Sequence, residues 1–244
     1  MINPKILFFD IEILPQHFST RFGADRSTLC TFGYAWHGDK SASALDLLDF
    51  PEDFHNNPFK EKKLIKASHK IMSKAQVCIG HYSDRFDLKY MNTKFLKHNL
   101  TPVTIVTAED TWKTARSGLK LSSNRLGNIA EYFELKHTKM DIPVSTWFDV
   151  IRGDEKAMRL MTKYCQQDVM TLMDVYYRLE PICKPRSHGG VLRDNVAPTS
   201  CPVVTCGSDQ FMKWGFFIKS QSGRKYQKRK CKSCGHVWAG ETVV

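Results

Sequence analysis

The run Ile6-Leu7-Phe8-Phe9-Asp10-Ile11-Glu12 is a hydrophobic strand segment that carries two acids. An apolar run of this length reads as a buried strand, and buried strands exclude charge. Side chains alternate between the faces of a strand, so Asp10 and Glu12 point to the same side. Two carboxylates held side by side shift each other's pKa unless a cation sits between them. Two arrangements fit: an edge strand whose acids are hydrated, or a buried strand whose acids hold metal. The run alone does not choose between them.

Working outward, residues 5–13, 29–36 and 43–48 read as strands, with Gly38-Asp39 as a hairpin turn between the second and third. Residues 59–73 have helical spacing, 75–79 form a short apolar strand, and a helix follows from about Asp84 to residue 97. Residues 103–106 read as a further strand. Ser122, Ser123 and Asn124 suit the start of a short helix reaching Phe133, and a long helix runs from Glu155 to about Arg178. Strands first in hairpins and then alternating with helices imply an α/β domain with a mixed sheet. Three prolines and the pair Gly189-Gly190 mark residues 181–199 as a linker.

The chain has 244 residues, 42% hydrophobic and 25% charged, as expected of a globular protein with one good-sized core and a small appendage. No apolar stretch reaches membrane-spanning length and the N-terminus does not resemble a secretory signal, so a cytoplasmic protein without membrane contact is expected. Of the net charge of +11, residues 181–244 carry +8. A local excess of this kind suits a polyanionic partner such as nucleic acid, or a solvated tail.

Carboxylates stand beside buried structure in three places. The first is Asp10 and Glu12. The second is Ser83-Asp84-Arg85-Phe86-Asp87-Leu88, where a strand gives way to a helix. The third is Tyr164-Cys165-Gln166-Gln167-Asp168 on the long helix, where Tyr164 and Asp168, four apart, share a face. Their order and type, with Asp110-Thr111 and Leu121-Ser122-Ser123-Asn124-Arg125-Leu126 between them, resemble the DEDD 3′–5′ exonucleases of the ribonuclease-H-like fold. The Tyr ahead of the last Asp resembles the DEDDy subgroup, and the text is similar to the proofreading domains of family-B DNA polymerases. The resemblance covers about residues 5–179.

The resemblance implies a ribonuclease-H-like mixed sheet flanked by helices over residues 1–180. It implies two Mg²⁺ or Mn²⁺ ions held by Asp10, Glu12, Asp87 and Asp168, with Tyr164 orienting the attacking water. Hard oxygen ligands suit these cations in phosphodiester hydrolysis. A phenol with an ordinary pKa near 10 is a poor base at neutral pH, so positioning describes Tyr164 better than proton abstraction. Phe86, Ser123 and Asn124 become candidate substrate contacts, the last two in competition with a capping role. Asp84 is expected to cap the helix that carries Asp87. Polymerase relatives usually have Thr and Asn where this chain has Ile13 and Tyr82. Both changes leave the metal ligands standing, and Ile13 puts the grip on substrate in question.

Near the C-terminus, Cys201-Pro-Val-Val-Thr-Cys206 and Cys231-Lys-Ser-Cys234 form two pairs, while Cys30, Cys78, Cys165 and Cys183 are scattered. Short spacing within each pair suits a tetrahedral Cys₄ site. Residues 200–244 therefore read as a small β zinc ribbon with one structural Zn²⁺, and they resemble the ribbons of some transposases and transcription proteins. A domain this small has too little core to fold without such a staple. His236 is a spare ligand. Aromatic residues lie among Arg224, Lys225, Lys228 and Arg229, a mixture able to stack on bases and neutralise phosphates. Burial in the ribbon core is the competing reading for those aromatics, Trp214 and Trp238 included.

Taken together, the sequence predicts a metal-dependent 3′–5′ exonuclease releasing nucleoside monophosphates from single-stranded ends, DNA favoured over RNA. The ribbon is expected to help grip nucleic acid. A structure-specific endonuclease and an inactive nucleic-acid-binding module are the alternatives.

Overall fold

The structure is a computed structural model that describes residues 5–16, 23–103, 107–186, 199–220 and 222–243. It begins with strands β1 (Ile6–Pro15), β2 (Ser27–Trp36) and β3 (Ser43–Asp46), followed by helices α1 (Pro51–Asn56) and α2 (Lys62–Met72). Strand β4 (Val77–Gly80), helix α3 (Asp87–Lys97), strand β5 (Thr107–Asp110) and helix α4 (Thr111–Gly118) come next. Helices α5 (Leu126–Tyr132), α6 (Ser145–Ile151) and α7 (Glu155–Leu179) precede the C-terminal strands β6 (Phe211–Ile218), β7 (Lys225–Cys231) and β8 (Val237–Val243).

The larger sheet has the order β3-β2-β1-β4-β5. β1 pairs antiparallel with β2 and parallel with β4, and β4 pairs parallel with β5, so the sheet is mixed. Period-two alternation divides β1 cleanly. Leu7, Phe9 and Ile11 enter a core with Leu64 and Ile65 of α2 and Met91 and Phe95 of α3. Ile6 and Phe8 face the other way, against Val169, Leu172, Met173 and Tyr176 of α7. Each fully buried Phe or Leu contributes about 2–3 kcal/mol of transfer free energy, which fixes the register of β1 and with it the face of every later residue.

Several elements differ from the sequence reading. Of the strand expected at 103–106, residues 104–106 lie outside the described ones, and strand β5 is described at Thr107–Asp110, aligned by pairing of Gly80 with Asp110. The helix expected from Asp84 begins at Asp87, because Tyr82 takes a left-handed backbone (φ 64°) and the chain turns before it coils. Asp84 therefore caps nothing and instead pairs with Lys113 and Arg186. The cap expected from Ser122, Ser123 and Asn124 is also not made. α5 starts at Leu126 behind Arg125, without a side-chain cap bond.

The C-terminal strands form a separate antiparallel sheet, β6-β7-β8. The stretch read as a linker begins as ordered chain. Residues Glu180–Ile182 make a 3₁₀ turn, Cys183 is buried, and the backbone N–H of Arg186 donates to Glu109. Residues 187–198 lie outside the described ones. The loop between Cys201 and Cys206 returns to the larger domain, where Val204 is fully buried among Ile6, Phe8, Val77 and Tyr176. The small sheet is thus anchored on the larger domain by an apolar plug. Among the described residues, no helix is long and apolar enough to cross a membrane.

Candidate active site

Asp10 and Glu12 continue the row of Ile6 and Phe8 toward the C-terminal end of β1, on the face that α7 covers. α7 lies close over them because β2 presents no side chain of its own where they meet. Gly33, the β2 partner of Asp10, leaves room for Cys165, whose thiol donates to the Asp10 carbonyl at 3.6 Å. One helical turn beyond the Val169–Tyr176 contact, Tyr164 and Asp168 come down onto the two acids. Carboxylate oxygens of Asp10, Glu12 and Asp168 all lie within 4.8 Å of one another. Asp87 lines the same cleft from the start of α3 but does not join that cluster. Parallel β1 and β4 end at the same sheet edge, which is why a residue just after β4 reaches a site at the end of β1.

The electrostatics are those of an anionic cage. Burial, then the charges of Asp87, Asp168 and Glu12, push Asp10 well above the usual carboxylate range. Burial and Asp168 raise Glu12 to about 8. Burial raises Asp87 to about 7, against hydrogen bonds from its own N–H and that of Ile11. Asp168 is raised by burial, while Lys139 and the Tyr164 hydroxyl hold it back. Its Oδ1 is buried without a hydrogen-bond partner. Burial and the three neighbouring carboxylates push the Tyr164 phenol far up, so it keeps its proton.

Of the other candidate residues, Phe86 lines the cleft of about 1040 Å³ with the acids. Ile13 does not. It packs against the hydrophobic core after a bulge between Glu12 and Ile13 turns the strand. Ser123 is not in the cleft's lining but lines an adjoining hollow with Leu121 and Tyr132, which shares Asn128 and Glu131 with the cleft. Asn124 meets the cleft only through its carbonyl, which accepts from His81 Nε2 at 2.9 Å, and its side-chain oxygen is buried without a partner.

Lys139 and His81 are among the cleft residues that escaped the sequence reading. Lys139 stands 3.7 Å from Asp168 Oδ2 and 5.1 Å from the Tyr164 ring centre, and its charge opposes the repulsion at Asp10, Glu12 and Asp168. It comes from a loop between α5 and α6 with no periodic signal to mark it. His81, next to Gly80 at the strand end, is lowered to about 4 by burial and stays neutral between Thr111 and Asn124.

No disulfide joins any of the eight cysteines. The Sγ atoms of Cys201, Cys206, Cys231 and Cys234 lie within 4.8 Å of one another, with Cys201–Cys234 at 3.6 Å and Cys206–Cys231 at 3.7 Å. A tetrahedral ZnS₄ site with bonds of about 2.3 Å has S···S edges of about 3.8 Å, which these two distances match, so the cluster fits such an ion. Cys183, read as scattered, packs against Cys201 and Cys231, with its Sγ 4.0 Å from His236 Nδ1. The turn at Glu180–Ile182 brings it there, a contact sequence spacing does not reveal. Trp214 is not a core residue. It is half exposed beneath Lys230, and Lys225, Lys228 and Arg229 stand over Phe216, Phe217 and Phe211. Trp238 is half-buried and stacks on His236. Arg224 is exposed just before β7.

Residues 7–180 match the family model described as the RNase_H superfamily. The chain belongs to the RNase H superfamily. Among solved structures, this RNase H-like protein is similar to the family B DNA polymerase from the hyperthermophilic archaeon Pyrobaculum calidifontis, with a TM-score of 0.57 and 16% identity over 74% of the chain. The likeness is one of fold, and it spans 25% of the polymerase's length. No curated protein matches the chain.

Proposed function

We propose that this RNase H-like protein is a metal-dependent 3′–5′ exonuclease that releases nucleoside monophosphates from single-stranded 3′ ends, DNA favoured. The observation that carries the reading is the convergence of half-buried Asp10 and Glu12 with buried Asp168 within 4.8 Å, with Asp87 in the same cleft. Buried carboxylates this close are stable as anions only with cations among them, and the partnerless Oδ1 of Asp168 is a lone pair awaiting one. Oxygen-only donors suit Mg²⁺ or Mn²⁺. When bound, two such ions supply Lewis-acid stabilisation of charge at the attacked phosphate and the leaving 3′-oxygen.

The chain's own residues do the rest. Asp10, Glu12, Asp87 and Asp168 hold the cations. Tyr164, kept protonated, orients water by hydrogen bonding and does not take its proton. Lys139 offsets part of the cage's negative charge. Phe86 is in place to pack against the terminal nucleotide. The fold likeness to a DNA polymerase supports DNA as substrate. The Cys₄ sheet is read as a zinc ribbon whose Arg224, Lys225, Lys228 and Arg229 add salt-sensitive affinity for the phosphate backbone.

Digestion of 3′- and 5′-labelled DNA and RNA, with Mg²⁺ and Mn²⁺, tests the proposal. Monophosphates should be released from 3′ ends, and Asp10→Ala or Asp168→Ala should abolish this while circular dichroism stays native. Full activity in either variant overturns the assignment. Cleavage of a circular single strand would instead indicate an endonuclease, and a gel shift without degradation in Mn²⁺ a binding module.

A further inference from the structure

Beside the acid cleft lies a second hollow of about 510 Å³, lined by Arg85, Trp112, Lys113, Arg116 and Ser117. Trp112 stands in the lining of both cavities. On the acid-cleft side Tyr82 presents an aromatic ring that is 40% exposed, set edge-on to Trp112 with centroids 5.0 Å apart. The Arg116 guanidinium lies 5.2 Å from the indole on the side of the second hollow. Tyr82 holds its place at a cost. Its φ of 64° is a left-handed conformation that disfavours non-glycine residues. Its N–H is pinned to Asp110 Oδ1 at 3.0 Å. Strain kept at the mouth of a cleft, to aim a large ring outward, points to a ligand for that ring.

We infer that Tyr82, Trp112, Arg85 and Arg116 form a nucleotide subsite next to the reaction centre, which takes an unpaired base on Tyr82 and its phosphate on the two arginines. This rests on the nuclease reading above and extends it from the bond that is cut to the strand that is held. Lys113 is engaged with Asp84, whereas among the described residues neither Arg85 nor Arg116 is in a salt bridge. The hollow's lining contains no carboxylate to repel a phosphate. Aromatic rings stack on any unpaired base, so the subsite selects single strands without reading sequence. A duplex hides the faces of its bases.

The test is binding of fluorescein-labelled (dT)₁₀ to full-length protein carrying Asp10→Asn, across a salt series. Tyr82→Ala should weaken binding about tenfold with the salt slope unchanged, since stacking releases no counterions, and Tyr82→Phe should bind like the parent. Arg116→Ala should weaken binding and reduce the slope by about one. A blunt duplex of equal length should bind less tightly than (dT)₁₀. Parental affinity and slope in both alanine variants, or equal duplex affinity, would overturn the subsite. If these shifts appear but the protein with Asp10 intact degrades no nucleic acid, the nuclease reading fails and the subsite stands. If degradation occurs but the shifts do not, the reverse holds.

Discussion

Gly33 and Cys165 meet so closely that a Cβ on Gly33 would stand 2.7 Å from the Cys165 sulfur and 3.1 Å from its carbonyl oxygen. Gly33 pairs with Asp10 across β1 and β2, and Cys165 lies between Tyr164 and the turn that carries Asp168. The distance between the strand acids and the helix acid is therefore set by a glycine that takes no part in the chemistry.

Gly33→Ala is expected to push α7 off the sheet. Overpacking of this kind costs about 1–3 kcal/mol. A shift near 1 Å at a reaction centre costs on the order of 100-fold in rate. Cys165→Ala added to it should restore part of the loss by removing the nearest atom. Melting temperature and Mn²⁺-dependent turnover, measured on both variants, check this; unchanged turnover in Gly33→Ala would refute it.

Lys139 is the cation whose charge favours the ionised forms of Asp10, Glu12 and Asp168. Lys139→Ala should raise the pH at which Mn²⁺ binding is half-complete by about one unit, because protons then compete more strongly for the carboxylates. Lys139→Arg should keep the parental midpoint. Calorimetric titration with Mn²⁺ between pH 6 and 9 reads the difference.

The acids also predict how stability follows pH when metal is removed. Burial raises Glu12 to about 8 and Asp87 to about 7 in the folded chain, while unfolded carboxylates titrate near 4. The folded state then binds the extra protons, so this contribution is complete below about pH 4 and is lost as pH rises toward 8. Melting temperature in a chelator should fall by several degrees from pH 5 to 8.5, and Mn²⁺ should flatten the decline by taking the protons' place. A curve in chelator that rises with pH over this range would contradict the cage of coupled acids.

The Cys₄ cluster should matter to the whole molecule. Val204, between Cys201 and Cys206, is buried in the core that holds Phe8 and Val169. Cys231→Ser should remove one equivalent of zinc by metal analysis and lower the melting temperature of the entire protein. Val204→Ala should keep the zinc and cost about 1–2 kcal/mol. If Cys231→Ser leaves the main transition unmoved, the plug does not couple the two parts.

What the sequence determined by itself was the acid strand, the long helix and the paired cysteines. β1 reads as a strand because its apolar run is continuous, and the shared face of Asp10 and Glu12 follows from a period of two. The Tyr164–Asp168 face follows from the helical period, and the cysteine spacing carries its own geometry. These are local facts, set by backbone repeat lengths, and they survive whatever the rest of the chain does.

Tertiary structure decided which residues meet. It brought Lys139 from an irregular loop to Asp168, Cys183 to the Cys₄ cluster and Trp112 to Tyr82, contacts that span long stretches of chain and leave no periodic trace. It turned Ile13 into the core through a bulge and moved the start of α3 from Asp84 to Asp87 through the strained Tyr82. It also set the gap over Gly33, a packing distance that no repeat in the sequence encodes. The carboxylates and thiols that cluster were legible because they are a matter of residue type and local period, whereas the shape that surrounds them depends on how the sheet and α7 close against each other.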